Sequence, residues 1–503
     1  GGLCTAGCAW YLLKEPSAER EVDDIELGEM PEPTAHFQHP YEQWPWHQRA
    51  WFALCRAVCL FWIFTPFAAA STCLVLFSDR RSPGPWRDFW LEQMLACMQR
   101  AGAAFQKFGQ WLSMRPDMFP PDVITTLGKL RSDAPSHPVE VSRRTLRAQF
   151  GRDVEELFEE FQDTPVASGS VGQVHRALLR AEFALDGPGG RLRDVAVKIR
   201  HPGVTESAFM DLNIVWKVMG VFQSVLHMAV PFDRAEFDEV IQAQMDFTRE
   251  AFNLQKFSRN FRGEARIRFP KVSPKLVTPE VLVETWAEGK VISGILDDFD
   301  NSCQEAISAI SQKKRLLQNK LSAILYDMSM KMMVRDNFVH GDLHGGNILY
   351  SEADNHVTVL DAGIATQLEQ RNVAAFGRFL HALCSGDAER TVEHLQRFNM
   401  STIKVNLAEL KADVQATMDK FMGPLRQDPD RATNAADMFG EVMFSMQKHQ
   451  MLLQGDVAST LFTISISEGL IRQLDPTFDV AKRALPYIVQ HMPKLGLSLA
   501  EAS

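Results

Sequence analysis

The sequence lacks the features that would place it in several common protein classes. Its eight cysteines form no CxxC pair and show no metal-ligand spacing, which argues against a disulfide framework or a structural zinc site. Basic residues are not in excess, because 53 Lys and Arg stand against 63 Asp and Glu, a formal net charge of −10. A general nucleic-acid binder needs a basic surface. We therefore expect a globular protein of a reducing compartment, with no nucleic-acid partner.

The length of 503 residues exceeds what one hydrophobic core usually fills. We expect one large two-lobed domain with appendages, or two domains. Residues 1–50 are predicted to be a tail, since residues 15–34 are acidic and interrupted by prolines. The first residue is Gly rather than Met, so we expect the natural N-terminus to lie upstream of it.

The most hydrophobic stretch runs from Ala57 to Phe77 and contains no charged residue. A helix that spans a bilayer needs about 20 such residues. Tryptophans before the stretch and arginines after it are typical of interfacial anchors. Pro66 lies in the middle and fits a buried or surface-docked helix as well. We predict a single-pass membrane segment at residues 51–79, with a docked helix as the alternative.

Residues 340–347, which read HGDLHGGN, have the spacing of a kinase catalytic loop. In such a loop an Asp accepts the proton of the attacking hydroxyl, and an Asn five residues later holds a metal ion. Asp342 and Asn347 fit these two roles. A strand-like run then ends at Asp361, where a kinase keeps its second magnesium ligand. Two other interpretations stay open: a loop whose Gly and Asp serve turn geometry alone, and a weak metal site through His340, Asp342 and His344.

Upstream, residues 165–177 (PVASGSVGQVHRA) form a loop of small residues between two strand-like pieces. Glycines there would let backbone N–H groups approach phosphates, although a short Gly/Ser loop alone is weak evidence. The candidate phosphate-binding residues are Ala167, Ser168, Gly169, Ser170, Val171 and Gly172.

A β-rich run then ends at Lys198, in the order found in the N-terminal lobe of kinases. A predicted helix over residues 234–261 carries Asp246 and Glu250 four positions apart, so both would share one face. Glu250 is the candidate partner of Lys198. The alternatives are an exposed lysine at a strand end and a solvated acidic helix face.

Lys107 and Gln110 belong to a Lys-Phe-Gly-Gln segment that follows a predicted amphipathic helix over residues 86–105. Pattern alone assigns this segment no chemistry. After Asp361 no Ala-Pro-Glu motif follows, so docking of a protein substrate in the usual kinase manner is not expected.

Taken in order, these pieces resemble the UbiB family, the aarF-domain-containing atypical kinases. HGDLHGGN is similar to that family's HADPHPGN loop, residues 107–110 to its KxGQ motif, and PVASGSVGQVH to its alanine-rich loop. The resemblance implies an α+β, bilobal protein-kinase-like fold, preceded by the hydrophobic segment. Its parts would be a helical KxGQ extension (86–150), a kinase-like N-lobe (151–295) and a mostly helical C-lobe (296–503).

The resemblance also implies ATP and Mg²⁺ as cofactors, with Asp342 as base, Asn347 and Asp361 as metal ligands, and a Lys198–Glu250 ion pair. Lys107 would pair with an acid on the Glu250 helix, with Gln110 and Asp246 in the same regulatory region. Family members are associated with coenzyme Q (ubiquinone) biosynthesis and lipid metabolism at mitochondrial membranes. Expected partners are therefore membrane lipids or quinone-pathway components, including a protein complex of coenzyme Q biosynthesis.

Three departures from the family pattern weaken a brake on protein phosphorylation or alter packing. Glu-x-Asp becomes Gln244-Met245-Asp246, the alanine-rich loop becomes Ala167-Ser168-Gly169-Ser170, and Asp-Phe-Gly becomes Asp-Ala-Gly at Asp361. The leading hypothesis is a membrane-tethered atypical kinase or ATPase. A nucleotide-gated scaffold without turnover and a small-molecule kinase of the aminoglycoside type remain as alternatives.

Overall fold

The structure is a computed structural model that describes residues 44–77, 84–113, 119–130, 135–187, 190–226, 238, 241–301, 308–401, 405–427, 435–478 and 480–491. The acidic stretch 15–34 and the charged residues 79–81 lie outside the described residues. Contacts divide the chain into an N-terminal unit (residues 29–255 and 271–286) and a C-terminal unit (residues 256–270 and from 287 onward).

The N-terminal unit contains the helices that come first along the chain, together with one large sheet. Its helices are α1 (Trp46–Phe77), α2 (Pro85–Ala101), α3 (Ala103–Ser113), α4 (Pro121–Leu127), α5 (Val139–Phe150), α6 (Val154–Leu157), α7 (Val204–Leu226) and the start of α8 (Phe247–Asn260). Its strands are β1 (Phe158–Phe161), β2 (Ala167–Ser168), β3 (Gly172–Leu179), β4 (Leu185–Gly187), β5 (Gly190–Leu192), β6 (Asp194–Arg200), β8 (Val272–Val277) and β9 (Val281–Thr285), while β7 (Ile267–Arg268) belongs to the C-terminal unit.

The sheet of the N-terminal unit is antiparallel, in the order β1-β3-β6-β9-β8, with β2 paired to β3. Along β3 the side chains alternate between buried and half-buried, as a strand with one face on a core requires. That core contains Leu146 from α5 and Val197 and Val283 from the two central strands. Strand β6, which carries Lys198, is therefore fixed in register on both sides.

Helix α1 is continuous from Trp46 to Phe77 and passes through Pro66 without a break. It begins five residues before the predicted membrane segment. By length and composition alone it could cross a membrane, and 17% of its most apolar window is buried. One face packs on α2, where the indole Nε1 of Trp90 donates to the Ser71 hydroxyl at 2.9 Å.

The opposite face of α1 is exposed and apolar from Trp51 to Leu76. Its large side chains are half or more exposed: Trp51, Leu54, Val58, Phe61, Trp62, Val75 and Leu76. The two threonines on this face donate their hydroxyls to carbonyls of the same helix, Thr65 to Phe61 and Thr72 to Ala68. The threonine hydroxyls on this face therefore do not need water as a hydrogen-bond partner.

Arg56 joins α1 to α7. Its Nε and Nη2 donate to the two carboxylate oxygens of Asp211 at 2.6 and 2.7 Å, and Nη2 also donates to the Ala101 carbonyl. The Asp211 side chain is 2% exposed. Burial raises the pKa of Asp211, and the hydrogen bonds from Arg56 oppose that rise.

The helix expected over residues 86–105 is two helices, so that prediction was wrong in its boundary. Helix α2 ends at Ala101, and Gly102 follows with a φ of 101°, a value that a side chain disfavours. Helix α3 then starts at Ala103 and carries the Lys-Phe-Gly-Gln segment.

The C-terminal unit is mostly helical around short strands. Its helices are α9 (Ile292–Asn301), α10 (Ser308–Met330), α11 (Gln370–Ser385), α12 (Ala388–Gln396), α13 (Leu407–Gln427), α14 (Ala435–Lys448), α15 (Gly455–Leu474) and α16 (Val480–His491). Its strands besides β7 are β10 (Lys290–Val291), β11 (Val339–His340), β12 (Ile348–Ser351), β13 (His356–Val359) and β14 (Ala365–Thr366). The predicted strand after the catalytic loop is thus present as β13.

Gly109 allows close packing inside the helical part of the N-terminal unit. A Cβ at this position would lie 2.1 Å from Cδ1 of Leu130 and 2.9 Å from Sδ of Met98. We predict that Gly109→Ala lowers the free energy of unfolding by about 2 kcal/mol through overpacking. Gly440→Ala is the control, because nothing lies within 4 Å of its added Cβ in helix α14. Chemical denaturation of both variants checks this, and equal stability of Gly109→Ala and the parent would contradict it.

Candidate functional site

Strands β11 to β14 hold the HGDLHGGN loop in the C-terminal unit. Strand β11 pairs with β14, and β12 pairs with β13 so that Ile348 faces Val359. Asn347 directly precedes β12, and the N–H of Leu360 donates to its carbonyl at 2.8 Å. The hairpin therefore brings Asn347 and Asp361 to the same end.

His340 joins the two acidic positions of this site through their backbones. Its Nε2–H donates to the Asp361 carbonyl at 2.5 Å, and its Nδ1 accepts from the Asp342 N–H at 3.2 Å. The ring is fully buried, and burial lowers the pKa of His340. A neutral imidazole with one donor and one acceptor nitrogen satisfies both bonds.

The metal site considered through His340, Asp342 and His344 is not formed. Both ring nitrogens of His340 are already engaged, and a metal ligand needs a free lone pair. His344 Nε2 lies 3.9 Å from Asp342 Oδ1 and instead helps shape the loop, since its Nδ1 accepts from the Gly346 N–H. Among the described residues no group of three or more His, Cys, Asp or Glu could hold a metal ion.

Asp342 and Asn347 are oriented by one hydrogen bond. The Asn347 Nδ2 donates to the Asp342 carbonyl at 3.1 Å, which directs the amide oxygen of Asn347 away from that carbonyl. The Asp342 side chain is 32% exposed and accessible to a substrate. An amide oxygen and the carboxylate of Asp361 are hard oxygen ligands, and Mg²⁺ is usually held by one or two such groups together with phosphates. The residues present fit that ion.

The glycines of the loop are explained by space rather than by backbone angle. One interpretation of the sequence gave them a role in turn geometry, but none of Gly341, Gly345 and Gly346 has positive φ. A Cβ on Gly341 would instead lie 2.4 Å from Cγ2 of Ile364. The loop needs glycine there because Ile364, the residue before β14, lies too close for a side chain.

Lys198 in the N-terminal unit forms two ion pairs. Its Nζ lies 2.5 Å from Oε1 of Glu250, and 3.2 Å from Oε1 of Glu284. The three side chains are 14%, 7% and 3% exposed. Sequence reasoning anticipated Glu250 and missed Glu284, whose place on β9 faces Ala196 of β6.

The loop at residues 167–172 is a tight hairpin. Ala167 and Ser168 form β2, Gly172 begins β3, and the Gly169 N–H donates to the Gly172 carbonyl at 2.8 Å. A Cβ on Gly172 would lie 2.5 Å from the Ile199 carbonyl oxygen. Ser170 is buried, and within the described parts of the chain its hydroxyl has no hydrogen-bond partner.

The helix predicted over residues 234–261 is interrupted before Phe247, so Asp246 and Glu250 do not share a helix face. Asp246 lies just outside α8, where its Oδ1 accepts from the N–H and the hydroxyl of Thr248. A short carboxylate at this position caps the helix and ends the preceding one. Residues 234–237 lie outside the described residues.

The ion pair predicted for Lys107 is not found among the described residues. Lys107 is half-buried on α3, and no carboxylate of the described residues lies within 4.0 Å of its Nζ. Gln110 is anchored by its Nε2, which donates to the Leu130 carbonyl at 3.1 Å. In this structure the segment thus contributes packing, and the role of Lys107 stays a prediction.

Comparison with known proteins identifies the class to which this arrangement belongs. Residues 129–395 match the model of the ABC1 atypical kinase-like domain. A probable serine/threonine-protein kinase abkC of Dictyostelium discoideum is 25% identical over 80% of this chain and 65% of its own length, so the chain spans under two thirds of that relative. A mitochondrial ABC1 family protein of Schizosaccharomyces pombe is 24% identical over 98% of this chain and 79% of its own length. A probable protein kinase UbiB of Marinobacter nauticus is 27% identical over 80% and 70%.

A solved structure shows the same fold. The Mycobacterium tuberculosis protein Rv3197, solved in complex with erythromycin, is 21% identical to this chain and has a TM-score of 0.51. The match covers 80% of this chain and 97% of Rv3197. The chain belongs to the ABC1 family of atypical kinase-like proteins, which includes UbiB, and has a kinase-like fold. The resemblance noted from the sequence is confirmed at the level of the family.

Lys198 neutralises two buried carboxylates, so its replacement should lower the free energy of unfolding most at high pH. In Lys198→Met, Glu250 and Glu284 would face each other without a cation, which raises their folded pKa above the unfolded value. Groups with a raised folded pKa contribute stability at low pH that is lost as pH rises. We predict a destabilisation of about 3 kcal/mol at pH 8 that shrinks toward pH 5. Urea denaturation at both pH values measures it, and a loss independent of pH would contradict this account.

Proposed function

We propose that the protein is an ATP- and Mg²⁺-dependent atypical kinase or ATPase that supports mitochondrial coenzyme Q and lipid metabolism. The observation that carries the proposal is the His340 bridge, which ties the backbones of Asp342 and Asp361 together. A base and a metal ligand held by one neutral ring are what phosphoryl transfer requires of this part of a kinase.

Each unit supplies different functions in this proposal. In the C-terminal unit, Asp342 accepts the proton of an attacking hydroxyl or water, and Asn347 and Asp361 would hold Mg²⁺. The ion supplies neutralisation of phosphate charge when bound. In the N-terminal unit, Lys198 would contact phosphates while Glu250 and Glu284 hold its position. The hairpin of residues 167–172 would offer backbone N–H groups and the Ser170 hydroxyl to phosphate oxygens.

The biological setting is supported by the names of relatives and by the family resemblance. The relative from Schizosaccharomyces pombe is called mitochondrial, and the bacterial relative is called UbiB. We propose a mitochondrial location, with membrane lipids, quinone-pathway components or a complex of coenzyme Q biosynthesis as partners.

Two other functions remain as alternatives. A scaffold switched by nucleotide binding would not need Asp342, Asn347, Asp361 and Lys198 together, and all four are present. A small-molecule kinase of the aminoglycoside type would give Lys107 no role in nucleotide affinity or specificity. Lys107→Ala would favour that class if both properties were unchanged.

Turnover of the purified protein with Mg²⁺, ATP and liposomes tests the catalytic proposal. We predict that Asp342→Asn lowers phosphate release at least a hundredfold, because the neutral amide cannot accept the proton. ATP binding, measured by calorimetry, should be retained, since the substitution conserves the shape of the loop.

Equal background release by both proteins, with ATP bound, would favour the nucleotide-gated scaffold. Loss of ATP binding in Asp342→Asn would contradict the proposal that Asp342 acts solely as a base.

We also propose that α1 attaches the protein to a membrane. Its exposed face lacks charged side chains from Trp51 to Leu76, and soluble monomers rarely expose an apolar patch of this size. The threonine hydroxyls on this face are satisfied within the helix, as a hydrocarbon environment requires. The other face of α1 packs on α2, whose Asp88 and Glu92 are exposed. A full span therefore requires α1 to separate from α2.

Alkaline carbonate extraction of native membranes tests the single-pass prediction. We expect retention in the membrane pellet, because about 20 uncharged residues of α1 suffice to span the bilayer. Release into the soluble fraction would contradict a spanning helix. Phe61→Glu/Trp62→Glu should then show whether the exposed face alone binds, by loss of co-sedimentation with liposomes. Leu54→Phe is the apolar control on the same face.

A further inference from the structure

A buried polar network lies behind the phosphate-loop hairpin of the N-terminal unit. It consists of His137, before α5, Ser142 on α5, Gln173 and His175 on β3, and His201, after β6. His175 is fully buried, His137 and His201 are half-buried, and their rings lie close together, with 2.7 Å between the Nδ1 atoms of His137 and His201. None of these residues has a part in the roles described above.

The hydrogen bonds fix the proton positions of the network from one end to the other. His201 Nε2 lies 2.9 Å from the Gly169 carbonyl and must donate to it. In a neutral ring its Nδ1 then accepts, so the proton between the two Nδ1 atoms belongs to His137. The Nε2 of His137 is left as an acceptor and takes the Ser142 hydroxyl proton at 2.9 Å.

The other end of the network closes in the same way. His175 Nδ1 must donate to the Gln162 carbonyl at 2.8 Å, so its Nε2 accepts from the Gln173 amide at 2.9 Å. Gln173 Nε2 lies 3.1 Å from Ser142 Oγ, and Gln173 Oε1 accepts from the His137 N–H. One set of tautomers of three neutral histidines thus accounts for the bonds named here, and the Ser142 hydroxyl, whose proton goes to His137, makes no bond to His175 Nε2 although the two atoms lie 3.1 Å apart.

Electrostatics support the neutral state of all three rings. Burial lowers the pKa of each histidine, that of His137 to about 4. His137 is also faced by His201 and His175, and His175 by Arg143 and Asp163, which pair with each other. Arg200, beside His201, is directed to Glu280 instead.

At its His201 end the network contacts the hairpin of residues 167–172. His201 donates its ring N–H to Gly169 and its backbone N–H to the Val171 carbonyl at 2.9 Å. Together with the Gly169 N–H, which donates to Gly172, these bonds engage the carbonyls of residues 169, 171 and 172. Because these carbonyls already accept hydrogen bonds from the protein, N–H groups are left to face a bound anion. A turn that presents N–H groups is what phosphate binding requires.

We propose that His201 is a positioning residue that holds the Gly169–Gly172 turn in its phosphate-binding conformation, and that His137 and Ser142 fix the tautomer in which it can do so. The inference rests on the proposed nucleotide site for its functional consequence. Its structural claim, that the ring N–H restrains the turn, stands independently of nucleotide.

The test compares His201→Gln with His201→Leu in the full chain. The Gln amide nitrogen can replace Nε2–H as donor to Gly169, whereas Leu keeps the bulk and removes the donor. We expect the KM for ATP to rise about fivefold in His201→Leu with kcat unchanged, and to stay within twofold in His201→Gln. Amide hydrogen exchange without nucleotide should be about fivefold faster at residues 169–172 in His201→Leu alone. Strand β9 is the internal control for exchange.

The outcomes separate this inference from the proposed function. Equal rates of amide exchange at residues 169–172 in the parent and in His201→Leu would overturn the positioning role. Exchange that is accelerated equally in His201→Leu and His201→Gln would also overturn it. If the parent binds no nucleotide, the proposed function fails, while the exchange measurement still decides the role of His201. If His201→Leu does not fold, Ser142→Ala replaces it. It frees His137 to adopt the other tautomer, and unchanged exchange at the turn in that variant would also count against the inference.

Discussion

The fold of the N-terminal unit depends on the ion pairing of one lysine with two buried carboxylates. Glu250 and Glu284 come from a helix and a strand far apart in sequence, and Lys198 lies between them with little access to water. Taking such charges out of water costs several kcal/mol per ion unless they are paired. The pairing of β6 with β9 and the start of α8 must therefore be correct at the same time. Lys198, which we propose to contact phosphate, is held in place by the same contacts that complete the fold.

The break in the predicted helix at Asp246 helps to place one of these carboxylates. Because Asp246 caps α8, Glu250 falls in the first turn of the helix rather than in the middle of a longer one. The N-terminus of a helix carries a partial positive charge that stabilises a carboxylate in its first turn. The cap, the helix start and the lysine thus act on Glu250 together. In the C-terminal unit a neutral histidine performs a comparable task for Asp342 and Asp361 through backbone groups alone.

The order and type of the principal elements could be predicted from the sequence, because each motif occurs with a characteristic turn or strand beside it. The Lys198–Glu250 contact could be anticipated for this reason. Glu284 could not, since a single acidic residue in an apolar strand carries no pattern that points to a lysine 86 positions earlier. The breaks at Gly102 and Asp246 were missed because the apolar spacing continues across them. Local backbone angle and capping override periodicity at both places.

The pairing of Lys107 was expected from family resemblance alone, and no acid among the residues that the structure describes lies beside it. The reason for glycine in the catalytic loop also could not be predicted from the sequence. Sequence shows that a residue is glycine, but only the neighbouring Ile364 shows that the need is for space.

The Arg56–Asp211 bond has a practical consequence for anyone preparing this protein. An apolar N-terminal helix is an obvious segment to delete in order to obtain soluble material. Deletion up to Pro85 would remove the cation from a carboxylate whose side chain is 2% exposed, and would uncover Phe105, which packs against Phe64. The shortened chain would begin with a damaged interior. Preparation of the intact chain, with α1 packed as it is in the structure, keeps that interior closed.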